Sequence, residues 1–139
     1  MKIMIAAVSL ALASAAPALA DTKPSPRQIK AEAALNKQLA DRVAGAPVRC
    51  IPLHAIRSSR IIDGTAIVYE GAGGVLYVNR PRSGARSLDR NDVLVTKTHT
   101  GDLCSIDIVT LFDATSRMQT GFIGLGEFVP YKKVKTASR

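Results

Sequence analysis

Residues 59–79 read Ser-Arg-Ile-Ile-Asp-Gly-Thr-Ala-Ile-Val-Tyr-Glu-Gly-Ala-Gly-Gly-Val-Leu-Tyr-Val-Asn. Two β-rich runs, Ser59–Ile62 and Thr65–Glu70, flank Asp63-Gly64, whose residues both tolerate positive φ and so signal a two-residue hairpin. Gly71-Ala72-Gly73-Gly74 makes the next reversal, and Val75–Asn79 is a third strand. The stretch predicts an antiparallel meander. Beyond it, residues 80–92 are polar, rich in turn formers, and read as an exposed loop. Val93–Thr98 and Ser105–Phe112 follow as strands on either side of a turn around Thr100-Gly101-Asp102, and Gly126–Tyr131 is the last strand before a basic tail. Before the meander, residues 48–57 are apolar but irregular, with Pro52 marking an edge strand or an extended crossing.

Further upstream the period changes from two to 3.6. Ser25 at the N-cap, Pro26 at the first helical position and Gln28 closing a capping box start a helix. Ile29, Ala33, Leu35, Leu39, Ala40, Val43 and Ala44 fall on one half of its wheel, and Lys30, Lys37, Gln38 and Asp41 on the other. Gly45 and Pro47 end the run after about five turns. Its lack of aromatic residues and its mixed charge speak against a membrane-surface role. The expected fold class is α+β, mainly β: an N-terminal amphipathic helix followed by a small antiparallel sheet or partly closed barrel with one disulfide. No internal repeat divides the chain.

The N-terminus carries an address. Met1-Lys2 is a positive start, Ile3 to Leu12 an apolar core broken only by Ser9, and Ala18-Leu19-Ala20 a small-residue cleavage site, which together predict a secretory signal peptide. The apolar run is shorter than the roughly 20 residues of a spanning helix, and Asp21 stands where lipid anchoring would need cysteine. The expected division is a signal peptide at 1–20, a leader and amphipathic helix at 21–47, a β domain at 48–132 and a basic tail at 133–139. Its product is expected to be periplasmic or secreted, and not an integral membrane protein after cleavage. A length of 139 residues and a net charge of +8 exclude an acidic chain and more than one sizeable domain.

Export bears on the cysteines. In an oxidising compartment, Cys50 and Cys104, the only two in the chain, read as one intramolecular disulfide. The competing reading is a reactive thiol or a Cys/His metal site. A nucleophile needs an adjacent base and zinc needs three or four ligands, whereas His54 and His99 are the only histidines and no CxxC or HxxxH spacing occurs. No metal and no cofactor are expected.

Two constellations are candidates for function. Arg80, Arg82, Arg86 and Arg90 lie in one loop offset only by Asp89 and Asp92, and Lys132, Lys133, Lys135 and Arg139 follow in the tail. These arginines are candidate anion-binding residues for a component of the cell envelope: a lipid head group, a lipopolysaccharide phosphate or an anionic cell-wall polymer. Nucleic acid is a poor partner, since no aromatic residue is interleaved for base stacking. Asp107 alternates with Ile106 and Ile108, and if its side is covered it needs a partner; Arg57 is the candidate for a buried charge pair. A solvent-facing or salt-bridged structural aspartate is the plainer reading. Asp107 with His99 and Glu127 is the only hydrolase-type grouping, and no nucleophile motif accompanies it. The glycine clusters at 71–74 and 121–126 lead into no helix and precede no Lys-Ser/Thr, so they read as turns and close strand approaches rather than phosphate loops.

Cys50-Ile51, Ile56-Arg57-Ser58, Ile61-Ile62-Asp63, Val78-Asn79, Leu103-Cys104-Ser105-Ile106-Asp107 and Leu125-Gly126-Glu127-Phe128-Val129-Pro130-Tyr131 recur in an order and spacing that resemble a family of small exported, uncharacterised proteins of Gram-negative bacteria. The resemblance covers residues 48–132 and implies fold, export and disulfide chemistry. It transfers no catalytic residue. Where the family pattern has two further cysteines this chain has Ala85 and Ile123, which leaves Cys50 and Cys104 for each other. The function expected on these grounds is a non-catalytic binding or envelope-associated module. The alternatives are anionic polymer or lipid binding through the Arg80–Arg90 loop, and a small periplasmic hydrolase using Asp107 and His99.

Overall fold

The structure, a computed structural model, describes residues 23–135; the expected signal peptide and the end of the basic tail, from residue 136, lie outside them. The first element is α1 (Pro26–Leu39), opened by a reciprocal cap in which Gln28 N donates to Ser25 Oγ at 3.3 Å and Ser25 N donates to Gln28 Oε1 at 2.9 Å. The helix stops at Leu39, six residues before Gly45. Arg42–Ala44 leave it as β1, where three residues pair with the last strand and the Arg42 guanidinium donates to the carbonyl oxygens of Gly74 (2.6 Å) and Tyr131 (3.3 Å). Long-range pairing here outweighs a helical pattern that had no tertiary partner.

Nine more strands follow: β2 (Cys50–Pro52), β3 (Ser58–Ile62), β4 (Ala66–Glu70), β5 (Leu76–Asn79), β6 (Asp92–Thr96), β7 (Asp102–Cys104), β8 (Ile108–Asp113), β9 (Gln119–Gly124) and β10 (Phe128–Lys133). They form three antiparallel sheets, ordered β1-β10-β5-β4-β3, β2-β7 and β6-β8-β9. These sheets do not close into a barrel. The meander β3-β4-β5 stands at one end of the first sheet, and its period of two explains the layering. Ile61, Ile67 and Tyr69 face a core shared with Leu88, Leu111, Ile123 and Phe128. On the other face Ile62, Ala66, Val68, Leu76 and Val78 pack with Ala31 and Leu35 of α1. The molecule is therefore stacked as helix, five-stranded sheet, then the two smaller sheets.

Several expectations are corrected by this packing. Among the helix residues it is Ala31 and Leu35 that are buried, with Leu39 partly so, while Ile29 is 58% exposed. Ile29 and Ala33 each sit about 200° round the helix from a residue of that stripe, on the side away from the sheet. The hairpin loop has three residues, Asp63-Gly64-Thr65, since Ile62 pairs with Ala66 and Thr65 N donates to Ile62 O at 3.0 Å. Only Gly64 of the three takes a positive φ, +60°. The expected turn around Thr100-Gly101-Asp102 is present as a bend at residues 99–101, but it leads into a short strand, β7, and a second turn at Ser105-Ile106 precedes β8, which starts at Ile108 rather than Ser105. Residues 80–92 are not an exposed loop throughout. Leu88 is fully buried and its carbonyl accepts from Gly64 N at 2.9 Å, which ties the segment down onto the β3–β4 turn. β10 also runs to Lys133, into what was expected to be tail.

The disulfide forms as expected. Cys50 and Cys104 lie directly opposite each other in the β2–β7 ladder, with Cα atoms 4.0 Å apart.

One buried polar residue holds the core's edge. Asn79 is 0% exposed, donates from Nδ2 to Gly126 O at 2.6 Å and accepts from Gly126 N at 3.1 Å. Asn79→Leu keeps the volume but strands both backbone groups of Gly126, and is expected to lower stability by about 2 kcal/mol at unchanged m-value in urea unfolding. A loss below about 0.5 kcal/mol would show that water replaces the clamp.

Candidate functional site

The four loop arginines do not form a common face. Arg80 makes a two-pronged pair with Glu32 of α1, with Nη2 to Oε2 at 3.0 Å, and this hydrogen bond holds the Glu32 carboxyl below the usual carboxylate range. Arg90 donates to Asp63 from its backbone N (2.8 Å) and from Nε (2.9 Å). Asp63 is buried, yet the side-chain hydrogen bond from Arg90 outweighs desolvation and lowers its pKa. Half of the expected cluster is thus spent on fastening the loop to the helix and to the β3–β4 turn. Arg82 and Arg86 are exposed and join no ion pair among the described residues.

The Asp63 shift has a pH signature. Its folded pKa lies below its unfolded value of about 3.9, so the unfolded chain takes up the proton first as pH falls. The stabilisation is complete above about pH 4 and fades as pH drops through the lower folded value. Asp63→Asn is accordingly expected to be less stable than the native protein at neutral pH, and the gap should narrow below about pH 4 in thermal melts. A gap constant down to about pH 2 would contradict this account.

Cationic residues do converge elsewhere, along the seam between α1 and β3. Arg27, Lys30, Ala34 and Lys37 recur at three, four and three residues, which is one face of a helix, and they line a depression of about 500 Å³. Its far wall is Arg60, Ile61 and Ile62 of β3, with Arg90 and Asp63 at one end. The small side chains of Ala31 and Ala34 leave the space open, and the exposed Lys30 and Lys37 stand on its outer rim. A second depression, about 330 Å³, adjoins at Arg27 and is lined by Lys23 and Arg86 with no carboxylate. A third, about 290 Å³, continues past Arg60, Ile61 and Arg90 to β6. The first adjoins the other two through shared lining residues, Arg27 on one side and Arg60, Ile61 and Arg90 on the other, and the three together are called the trough. Arg27 and Lys37 are ten residues apart on the helix, so its main section is about 15 Å long.

Sequence reasoning places Lys30 and Lys37 on the polar half of the helical wheel and does not single out Arg27 or Arg60 as a binding group. A signal existed in the 27-30-34-37 spacing, but only the rotation of α1 on the sheet shows what that face meets.

The second constellation is not assembled. Asp107 Oδ2 accepts from Cys104 N at 2.7 Å while Asp107 N donates to Cys104 O at 3.0 Å, so the carboxylate ties the turn beside the disulfide. Arg57 is exposed, and its backbone N donates to Glu70 O; it forms no pair with Asp107. Ile106 and Ile108 are themselves exposed, so Asp107 is not the polar member of a buried strand. His99 and Glu127 are exposed and line none of the three depressions, nor does Asp107. Among the described residues no group of three His, Cys, Asp or Glu side chains is placed to hold a metal ion. Nor is any helix among them long and apolar enough to cross a membrane.

One further surface stands out. By register, Val93 and Val95 of β6, Thr110 and Phe112 of β8 and Phe122 of β9 share the outward face of the three-stranded sheet, and none is charged. Ile108 at 62% and Phe122 at 57% exposure show how open it is.

Compared with known protein families, with curated proteins and with solved structures, the chain matches none. The resemblance read from the Cys-Ile to Leu-Gly-x-Phe motifs is therefore carried by those motifs alone.

Proposed function

We propose that the protein is an exported, non-catalytic binding module that holds a linear polyanion in the trough between α1 and β3. The observation that carries this reading is the lining. Asp63 and Asp92 are the only carboxylates in it; Arg27 is tied to Asp89 at 2.9 Å and Asp63 is paired with Arg90, whereas Lys23, Lys30, Lys37, Arg60 and Arg86 join no ion pair among the described residues. Adjacent cations along a channel favour a chain of charges over a single ion, and the net charge of +8 steers such a chain toward it. Export is supported by the signal-peptide pattern, by the family resemblance and by a disulfide of the kind that persists in oxidising compartments. The polyanions of the envelope include lipopolysaccharide phosphates, anionic cell-wall polymers and clustered lipid head groups. Nucleic acid fits poorly, because the trough offers no aromatic side chain for stacking.

Binding of polyphosphate or lipopolysaccharide at low salt is expected to weaken about tenfold or more in the triple variant Lys30→Gln, Lys37→Gln, Arg60→Gln, and its salt dependence should become shallower. Arg82→Gln, outside the trough, should change affinity by less than about twofold. The reverse pattern would return the site to the Arg80–Arg90 loop, and equal effects would leave only a general attraction to a basic protein.

A further inference from the structure

We infer that the chain held in the trough is a polypeptide: an acidic, extended segment that adds as a strand to the free edge of β3. The inference rests on the trough reading and is carried by a separate observation. β3 ends the five-stranded sheet and β6 ends the three-stranded one, so each has a ladder on one side only. Both bare edges border the same depression of about 290 Å³, which is lined by Ser59, Arg60 and Ile61 from one strand and Asp92, Val93 and Leu94 from the other. Successive side chains of a strand point to opposite faces, so a depression that meets three consecutive residues of a strand is meeting its backbone edge. Unpaired N–H and C=O groups along such an edge are a template for another strand.

Charge selects the occupant. The edge is reached past Arg60 and Arg90 and is continuous with Lys30 and Lys37, which attract an acidic segment and repel a second copy of this basic chain. Alternation gives the pattern of the added strand. Arg60 shares its face of β3 with Ile62, on the side of α1, whereas Ile61 faces the other core. An added strand keeps those two sides, so acidic residues at every second position would meet the cations of the trough. The residues between them would be apolar and lie beside Ile61 and Leu94.

The test uses the whole protein, first with its native sequence. An alternating Glu-Val peptide of about eight residues is titrated beside the same peptide N-methylated at every second amide, which removes the donors along one edge and keeps the charge. Methylation is expected to weaken binding about tenfold or more, with the alternate amides of β3 that face its free edge slowed in hydrogen exchange by the unmethylated peptide only. Equal binding of the two peptides, or binding of polyphosphate but neither peptide, would overturn strand addition and leave the polyanion trough standing. Failure of polyphosphate and both peptides to bind would remove both readings. Methylation-sensitive binding that survives in the Lys30→Gln, Lys37→Gln, Arg60→Gln protein would remove the trough and keep the strand.

Discussion

Replacing Cys50 and Cys104 together by serine is expected to lower stability by about 4 kcal/mol, the chain-entropy value for a crosslink closing a loop of this length. The bond spans 54 residues of sequence and sits in a ladder of only three residue pairs. A two-stranded ribbon of that size is marginal alone. Its inner residues Ile51 and Leu103 are 2% and 1% exposed and belong to the main core, so fraying of β2 and β7 exposes apolar surface as well. Against a net stability of about 5–15 kcal/mol the loss is severe. Thermal melting with and without reductant should show it as a drop of roughly 15 °C or more. Mass spectrometry of alkylated, unreduced protein should find no modified cysteine. Two alkylated thiols, or a reductant effect below about 5 °C, would refute the staple.

Phe128→Ala should cost about 4 kcal/mol, through lost transfer energy and the cavity left behind. Phe128 is fully buried where three elements meet. Its ring packs edge-to-face on Tyr69, with centroids 5.9 Å apart and planes at 62°. Its backbone exchanges hydrogen bonds with Val48, at 2.9 and 2.8 Å, and pairs with Asn79 of β5. The Tyr69 hydroxyl is buried and has no hydrogen-bond partner among the described residues, and burial pushes its pKa up. Loss of the Phe128 ring therefore opens space beside a buried aromatic neighbour. Phe122→Ala is the control, because the same deletion on the open sheet face should change stability by less than about 1 kcal/mol. Urea midpoints at equal m-values measure both, and similar losses would mean that the two phenylalanines do not differ in burial as described.

Local chemistry accounts for what was legible beforehand. The Ser25–Gln28 capping box starts the helix, the glycines at 64 and 73–74 turn the chain at positive φ, and the apolar runs between them are strands because both of their faces are covered. The cysteine pairing needed only a count and a compartment. The helix face was misread because Val43 and Ala44, which continue the wheel, are claimed by β10. β7 was misread because Gly101-Asp102 has the composition of a turn, while Asp102–Cys104 pairs with a strand far away in sequence.

The candidate site was less legible than the fold, for a physical reason. A run of arginines in sequence shows where cations are, not which remain unpaired. Arg80 meets Glu32 48 residues away, and Arg90 meets Asp63 27 residues away, so half of the conspicuous cluster is neutralised by partners that no local pattern connects to it. Lys30, Lys37 and Arg60 look unremarkable on their own elements and converge only when α1 packs Ala31 and Leu35 onto the sheet. Sequence by itself determined the helix start, the β3–β5 meander, the crosslink and the sign of the charge, because each depends on residue type, count or near neighbours. Tertiary structure alone decided where that charge is left free, because pairing, burial and the bare edges of β3 and β6 are properties of residues brought together from distant parts of the chain.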